Sequence, residues 1–304
     1  MRISNAQITA MMHGSMNHSS AKLGKLMQQM ATGERMLRPS DDPISAVRVL
    51  RIEREEASLA QFRTNMANVA GNLSKQETNL KAASDTMLNV RDMLLWAANG
   101  ANTAEDLAAI ANELDSLEKT ILSFANVRDE EGRYLFSGTF SNRPAITYDD
   151  ASQTYLLTGN DQYRQAAVAN GVLVEENVTA AQVFGSGVGM LNDLNALVRM
   201  LKDPALNASD PAVRAQITAS LGSLDGTHGS LLGAVTELGG RQNTLTLLGS
   251  SNEDVSLVNQ KITGELSRLD YAGASIDLNN YQLALQATQK TYLKINDLSL
   301  FGML

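Results

Sequence analysis

Residues 59–97, LAQFRTNMANVAGNLSKQETNLKAASDTMLNVRDMLLWA, decide the fold. Leu59, Phe62, Met66, Val69, Leu73, Gln76, Leu80, Ala83, Met87, Val90, Leu94 and Ala97 follow at alternating steps of three and four, and Gln76 alone among them is polar. Such a seam keeps one narrow apolar stripe in line along a helix, which is what a partner helix needs for knobs-into-holes packing. Upstream, Asp42 followed by Pro43 matches an N-cap carboxylate with proline at the first helical position. One helix is therefore predicted from Pro43 to about Asn99.

Before it, Pro39 disfavours helix at Arg38, and the apolar face of Leu23, Leu26 and Met30 stops at Gly33, whose freedom at positive φ suits a helix end. After it, Gly100 and Asn102 supply a turn, and Thr103 with Asp106 forms a capping box. Leu107, Ile110, Leu114, Leu117, Ile121 and Phe124 then resume the seam, so this helix folds back as an antiparallel neighbour. Glu113, Glu118 and Lys119 read as its solvated face.

The helical period gives way between Gly132 and Gly189 to short β-favouring runs: Tyr134 to Phe136, Ile146 to Tyr148, Thr154 to Leu157 and Val172 to Val174. Met190, Leu194, Leu197 and Leu201 restore helix until Asp203-Pro204, and another helix begins near Pro211. Its stripe runs through Ile217, Leu221, Leu224, Leu231, Val235, Leu238 and Leu245. Gly222, Gly226, Gly229 and Gly233 each disfavour helix by roughly 1 kcal/mol against Ala, which leaves helix or loop open there. A last helix carries Ile262, Leu266, Leu269 and Ile276, then a shifted stripe of Leu278, Tyr281, Leu285, Tyr292 and Ile295.

The expected fold is mainly α, with long coiled-coil terminal helices and an antiparallel helical bundle carrying a small β-rich insertion. The divisions expected are 1–42 with 264–304 for the terminal coiled coil, 43–130 with 190–263 for the bundle, and 131–189 for the insertion. A terminal stripe without a partner in the monomer does not offset its ordering entropy, so both ends are expected to stay mobile until neighbouring subunits bury them.

Composition narrows the function. The net charge of -8 and the lack of a basic block argue against nucleic acid. Absence of cysteine removes disulfides, thiolate metal sites and cysteine nucleophiles together. No stretch has the length of a membrane span, and the opening residues lack the apolar core of a cleaved signal peptide. His13, His18 and His228 are too scattered for a catalytic pair or a zinc site. Gly185, Gly187 and Gly189 lack the strand-helix-strand setting of a dinucleotide loop and read as a flexible junction. Asp41 and Asp42 read as turn and cap residues, and Met11, Met12, Met16, Met27 and Met30 as packing residues. No catalytic residue, cofactor or metal is expected; the pattern points to assembly.

Ala31-Thr-Gly-Glu-Arg-Met-Leu-Arg-Pro-Ser-Asp-Asp-Pro43 resembles the signature of the bacterial flagellin superfamily, specifically its hook-filament junction branch, the type 3 hook-associated proteins. Met1-Arg-Ile-Ser4, Glu131-Gly-Arg-Tyr-Leu-Phe-Ser-Gly138 and Ser299-Leu-Phe301 are similar to the same branch, and Pro39 with Arg133-Tyr-Leu-Phe136 favours it over the filament-forming flagellins, which remain the alternative. Residues 222–240 are richer in glycine than that family's pattern. The resemblance implies a structural, non-enzymatic protein of the extracellular flagellum, exported through the flagellar type III pathway without a cleaved signal. Its implied partners are further copies of itself in a ring, another hook-associated protein on the hook side, flagellin on the filament side and an export chaperone. The implied assembly interface comprises Leu23, Leu26, Met30, Leu266, Leu269, Ile276, Leu278, Tyr281, Leu285, Tyr292 and Ile295. Gly33, Pro39, Asp42 and Pro43 form the structural turn and cap.

Overall fold

A computed structural model describes residues 5–208 and 210–301 of the chain; the segment Met1–Ser4 and the side chains of Ser299, Leu300 and Phe301, quoted above, lie outside the description. The elements in chain order are α1 (Asn5–Thr32), α2 (Pro43–Ala97), α3 (Ala104–Ala125), β1 (Ile146–Asp149), β2 (Thr154–Leu157), β3 (Gln165–Ala169), β4 (Val172–Glu175), α4 (Ala180–Phe184), α5 (Gly189–Leu201), α6 (Pro211–Ser267) and α7 (Tyr271–Phe301). The chain divides into two compact units, Met1–Ser58 with Asp254–Leu304 and Leu59–Glu253. Among the described residues no helix is long and apolar enough to cross a membrane.

The larger unit, Leu59–Glu253, is built on the predicted seam. Met66, Leu73, Leu80, Met87 and Leu94 are buried at seven-residue intervals on α2, with Val69, Gln76, Ala83 and Val90 between them and Ala97 after the last. On α6 the same interval separates the buried Ile217, Leu224, Leu231, Leu238 and Leu245. The two helices run antiparallel, because Glu77 meets Gln242 at 2.9 Å, Ser84 meets His228 at 2.9 Å and Arg91 meets Asp225 at 3.1 Å. α6 is one continuous helix through its glycines, which settles the choice left open above. A Cβ built at Gly222, Gly226, Gly229 or Gly233 meets nothing within 4 Å, so these residues lie off the seam and weaken the helix without interrupting its packing.

α3 opens with the capping box: the Asp106 N–H donates to Thr103 Oγ1 at 3.2 Å and the Thr103 N–H to Asp106 Oδ2 at 3.0 Å. Its buried stripe is Leu107, Ile110, Ala111, Leu114, Glu118, Ile121 and Ala125. Glu118 is therefore not on a solvated face. The stripe steps from Leu114 to residue 118 instead of 117, and Leu117 is the one left half-buried. α5 packs against α3 with Met190, Leu191, Leu194, Leu197, Val198 and Leu201 all buried.

The insertion consists of two separate antiparallel hairpins. β1 pairs with β2 in the register Ile146↔Leu157 to Asp149↔Thr154, and β3 pairs with β4 across a bulge between Ala167 and Ala169. The strand expected at Tyr134 to Phe136 is corrected: Tyr134 forms only an isolated bridge with Arg128, and the chain turns at once. Two constraints force this turn. Asp129 Oδ1 accepts the Glu131 and Arg133 N–H groups at 2.9 Å each, and Gly138 (φ +69°) leaves room for Asn160, whose Oδ1 lies 2.0 Å from any Cβ placed there.

Gln76, the polar member of the seam, is fully buried and fastens the return of the insertion to α2. Its Oε1 accepts the Val178 N–H at 2.8 Å, and its Nε2 donates to the Glu176 carbonyl at 2.9 Å. Two predictions follow from these packed positions. Leu80→Ala should cost about 2–5 kcal/mol in urea denaturation of the full chain, the usual range for a buried leucine. Gln76→Leu should cost roughly 1–3 kcal/mol, because it strands two main-chain groups in a dry contact; a neutral Gln76→Leu variant would show that the 176–178 segment is not held this way.

Candidate assembly surface and its clasp

In the smaller unit, α1 and α7 pack side by side. His13 stacks edge-on against Tyr292 with ring centroids 5.1 Å apart, the Lys22 ammonium lies 5.8 Å from the Tyr281 ring centre, and the Tyr271 hydroxyl donates to the Met30 carbonyl at 3.1 Å. The paired numbers run in opposite senses, so the helices are antiparallel. Leu26 is buried; Leu23, Met30, Leu278, Tyr281, Leu285, Tyr292 and Ile295 are half-buried. The expectation that the Leu278–Tyr292 stripe has no partner within the monomer is thereby corrected: α1 supplies one.

Two helices bury only one stripe each. Met11 and Met27 on α1 are 57% and 56% exposed, and Ile276, Leu283 and Leu293 on α7 are 62%, 64% and 61% exposed. Ile276 therefore belongs to this outer set and not with the residues that face α1. The monomer fold leaves these side chains mostly in water, and each is available to a further helix.

Leu266 and Leu269 sit elsewhere, because the last helix is not one element. It breaks between Ser267 and Tyr271, where Asp270 caps α7: its carbonyl accepts the Ala274 N–H at 2.9 Å and its Oδ1 the Ala272 N–H at 3.1 Å. This break is joined to the one between α1 and α2. The Leu269 N–H donates to the Gly33 carbonyl at 2.9 Å and the Arg35 N–H to the Ser267 carbonyl at 2.7 Å, with Glu34 and Arg268 as the bridged pair. Gly33 has φ +74°, and a Cβ there would stand 3.2 Å from the Tyr271 hydroxyl. Conformation and space both call for glycine.

Arg35 completes the clasp. Its Nε and Nη2 donate to the Leu266 carbonyl at 3.2 and 2.9 Å, and Nη2 also reaches Asp42 Oδ2 at 3.1 Å and Ser45 Oγ at 3.2 Å. Asp42 caps α2 through the Ser45 N–H at 3.1 Å, with Pro43 as the first helical residue and the exposed Pro39 in the preceding turn. Its carboxyl is held below the usual range by the Ser45 hydroxyl and N–H and by Arg35. Asp41 is lowered likewise, first by the Lys25 ammonium at 2.7 Å and then by the Arg38 and Leu37 N–H groups. Adjacent carboxylates thus serve two different turns. Among the described residues no group of three or more His, Cys, Asp or Glu side chains could hold a metal ion.

Sequence reasoning missed Arg35 as a linchpin and Tyr271 as the roof over Gly33. The available signal was an arginine two residues past a helix-ending glycine. A further polar layer was also missed: Glu56 Oε2 accepts the Ser256 hydroxyl at 2.7 Å and its Oε1 the Asn259 amide at 3.0 Å. Arg35→Ala should speed amide exchange at residues 266–270 by about tenfold, equivalent to about 1.4 kcal/mol, and leave α3 and α5 unchanged. Arg35→Lys should not restore protection, since an ammonium lacks the planar fork that reaches a carbonyl and a carboxylate together.

The profile of the bacterial flagellin N-terminal helical region matches residues 3–141. A curated relative, flagellar hook-associated protein 3 of Salmonella typhimurium, is 26% identical over 319 residues, covering 100% of this chain and 99% of its own. The solved structure described as a flagellar hook-associated protein of Vibrio parahaemolyticus is 36% identical, covers 75% of this chain and 100% of that one, and superposes with a TM-score of 0.69. The Legionella pneumophila flagellar hook associated protein-3 shares the fold at 17% identity, a TM-score of 0.64, and coverage of 72% of this chain and 98% of that one. With the helix-breaking clasp and the paired terminal helices in place, the chain belongs to the flagellar hook-associated protein 3 family, within the flagellin superfamily, and is a structural component of the flagellum.

Proposed function

We propose that the protein joins the hook, through another hook-associated protein, to the flagellin filament, as a ring of identical subunits held together by their terminal helices. The observation that carries this reading is the outer apolar set on the α1/α7 pair: five large side chains of this set are more than half exposed in the monomer. Large apolar side chains gathered on one helix pair favour burial against other helices. Contacts between identical subunits arranged head to tail are heterologous, and they close into a ring or continue as a tube.

In this reading residues 1–42 with 264–304 form the inner layer, 43–130 with 190–263 the surrounding bundle, and 131–189 the outward part. The protein turns over no substrate, and it leaves the cell through the flagellar export pathway with the help of a chaperone. Family membership supports the flagellar role, and the paired terminal helices support the mode of assembly.

Leu283→Asp tests the reading, because Leu283 is 64% exposed and a charge there leaves the monomer intact. The isolated variant should melt within about 0.5 kcal/mol of the parent. Cells carrying it should shed unpolymerised flagellin into the medium and bear few filaments, as read by immunoblot and electron microscopy. Normal filaments with the variant at their base would remove α7 from the interface. Purified parent protein that polymerises into long filaments by itself would instead favour a filament-forming flagellin.

A further inference from the structure

Glu118 is 2% exposed and occupies the inner stripe of α3 between Leu114 and Ile121, where an apolar residue belongs. Tyr155 of β2, itself buried, has the neighbouring hydroxyl that opposes the effect of burial on this carboxyl. Tyr155 is one of two points at which the β1–β2 hairpin is seated; at the other, Asn126 just past α3 accepts the Ile146 N–H at 3.1 Å and donates to its carbonyl at 2.7 Å. The Tyr155 N–H donates to Asn192 Oδ1 at 2.7 Å, its carbonyl accepts from Asn192 Nδ2 at 3.1 Å, and its ring lies 5.0 Å from that of Tyr148 on β1. Asn195 Nδ2 adds a bond to the Gln153 carbonyl at 2.8 Å in the hairpin turn. Of these fastenings to α3 and α5, only Glu118 can change its charge near neutrality.

The charged groups around it do not neutralise it. Asp115 on α3 takes both nearby cations, Lys119 of the same helix at 3.0 Å and Lys202 just past α5 at 2.8 Å. Burial is the largest influence on Glu118 and Asp115 adds repulsion, while Tyr155, Lys119 and Lys202 oppose them; the carboxyl is pushed up to about 7. Burial and the adjoining carboxyl likewise raise Tyr155, so the phenol stays neutral throughout.

We propose that Glu118 and Tyr155 form a proton-operated latch that seats the β1–β2 hairpin on α3 while the carboxyl is protonated and loosens it when the carboxyl ionises. An ionised Glu118 keeps the Tyr155 hydroxyl as its neighbour, but one hydroxyl replaces little of the water that a carboxylate demands. Lifting the hairpin admits that water. The sign follows from proton binding: between the ordinary carboxylate value and neutrality the seated form holds more protons than the open form, so seating weakens as pH rises and is lost above the seated form's own midpoint.

The test is amide exchange of the full, unpolymerised chain from about pH 5.5 to about pH 8.5, with the intrinsic pH dependence of exchange divided out. Peptides covering 146–157 should lose about tenfold in protection across that range, while the α2 and α6 seam stays constant. Glu118→Gln, neutral at every pH, should hold the hairpin equally protected throughout. Tyr155→Phe keeps the carboxyl but removes the hydroxyl that steadies its ionised form, so the midpoint should move upward. Flat protection of 146–157 in the parent, an undiminished pH dependence in Glu118→Gln, or an unmoved midpoint in Tyr155→Phe would each overturn the latch. The Tyr155→Phe arm decides the matter even where Glu118→Gln fails to fold.

Discussion

A seven-residue repeat on two long helices is the constraint to which the rest of the chain is fitted. Ile52, Leu59, Met66, Leu73, Leu80, Met87 and Leu94 recur on α2 with no more than 8% exposure, and Ile217 to Leu245 do the same on α6. Burying each such side chain contributes about 1.5–3 kcal/mol relative to leaving it in water. Against that, a glycine off the seam costs roughly 1 kcal/mol of helix propensity. The balance explains why α6 stays helical through a stretch whose composition alone suggests a loop. α3 and α5 then cover the seam in the larger unit, and both hairpins are tied to the helices by side chains that reach main-chain groups.

Polar residues interrupt the repeat at chosen places. Gln76 gives up apolar burial to accept and donate across to residues 176–178. On α6 the position that carries leucine at 231, 238 and 245 carries asparagine at 252 and 259, and Ser256 between them is also buried. Glu56 gathers Ser256 and Asn259 into one hydrogen-bonded layer. A polar layer inside a coiled-coil seam lowers stability but penalises any sliding of one helix past the other, because a shifted register leaves each group unpaired. The apolar repeat alone would tolerate a shift of seven residues; the polar layer does not.

The helices were legible because their evidence is local and periodic. The start of α2 at Pro43, the capping box at Thr103, the end of α1 at Gly33 and the restart at Pro211 all rest on residues within a turn of the event. Ile146 to Tyr148, Thr154 to Leu157 and Val172 to Val174 declared themselves by β-branched and aromatic content. β3 did not, since Gln165 to Ala169 is mostly alanine and forms a strand only because β4 pairs with it. Glu118 was misread for a related reason: a stripe that steps by four instead of three turns a surface position into a core one, and only the packing of α5 and β2 decides which step is taken. The candidate surface was legible as apolar spacing on α1 and α7. Its division into an inner stripe and an outer set was not, because that depends on how the two helices face each other.

The clasp shows why a conspicuous sequence motif can hide its own purpose. Its decisive bonds run from the backbone of residues 33 and 35 to the backbone of 267 and 269, and backbone groups leave no trace in composition. What the sequence displays is the conditions for those bonds: a glycine that tolerates φ +74° beneath Tyr271, an arginine that satisfies the carbonyl left open at the end of α6, and an aspartate-proline pair that restarts helix at once. Two chain breaks that would each fray alone are thereby turned into one joint, and α1 and α7 leave it together. Any subunit contact made through Met11, Met27, Ile276, Leu283 or Leu293 is then offered by a pair of helices already aligned, so the ordering cost that association must overcome is reduced before a neighbour arrives.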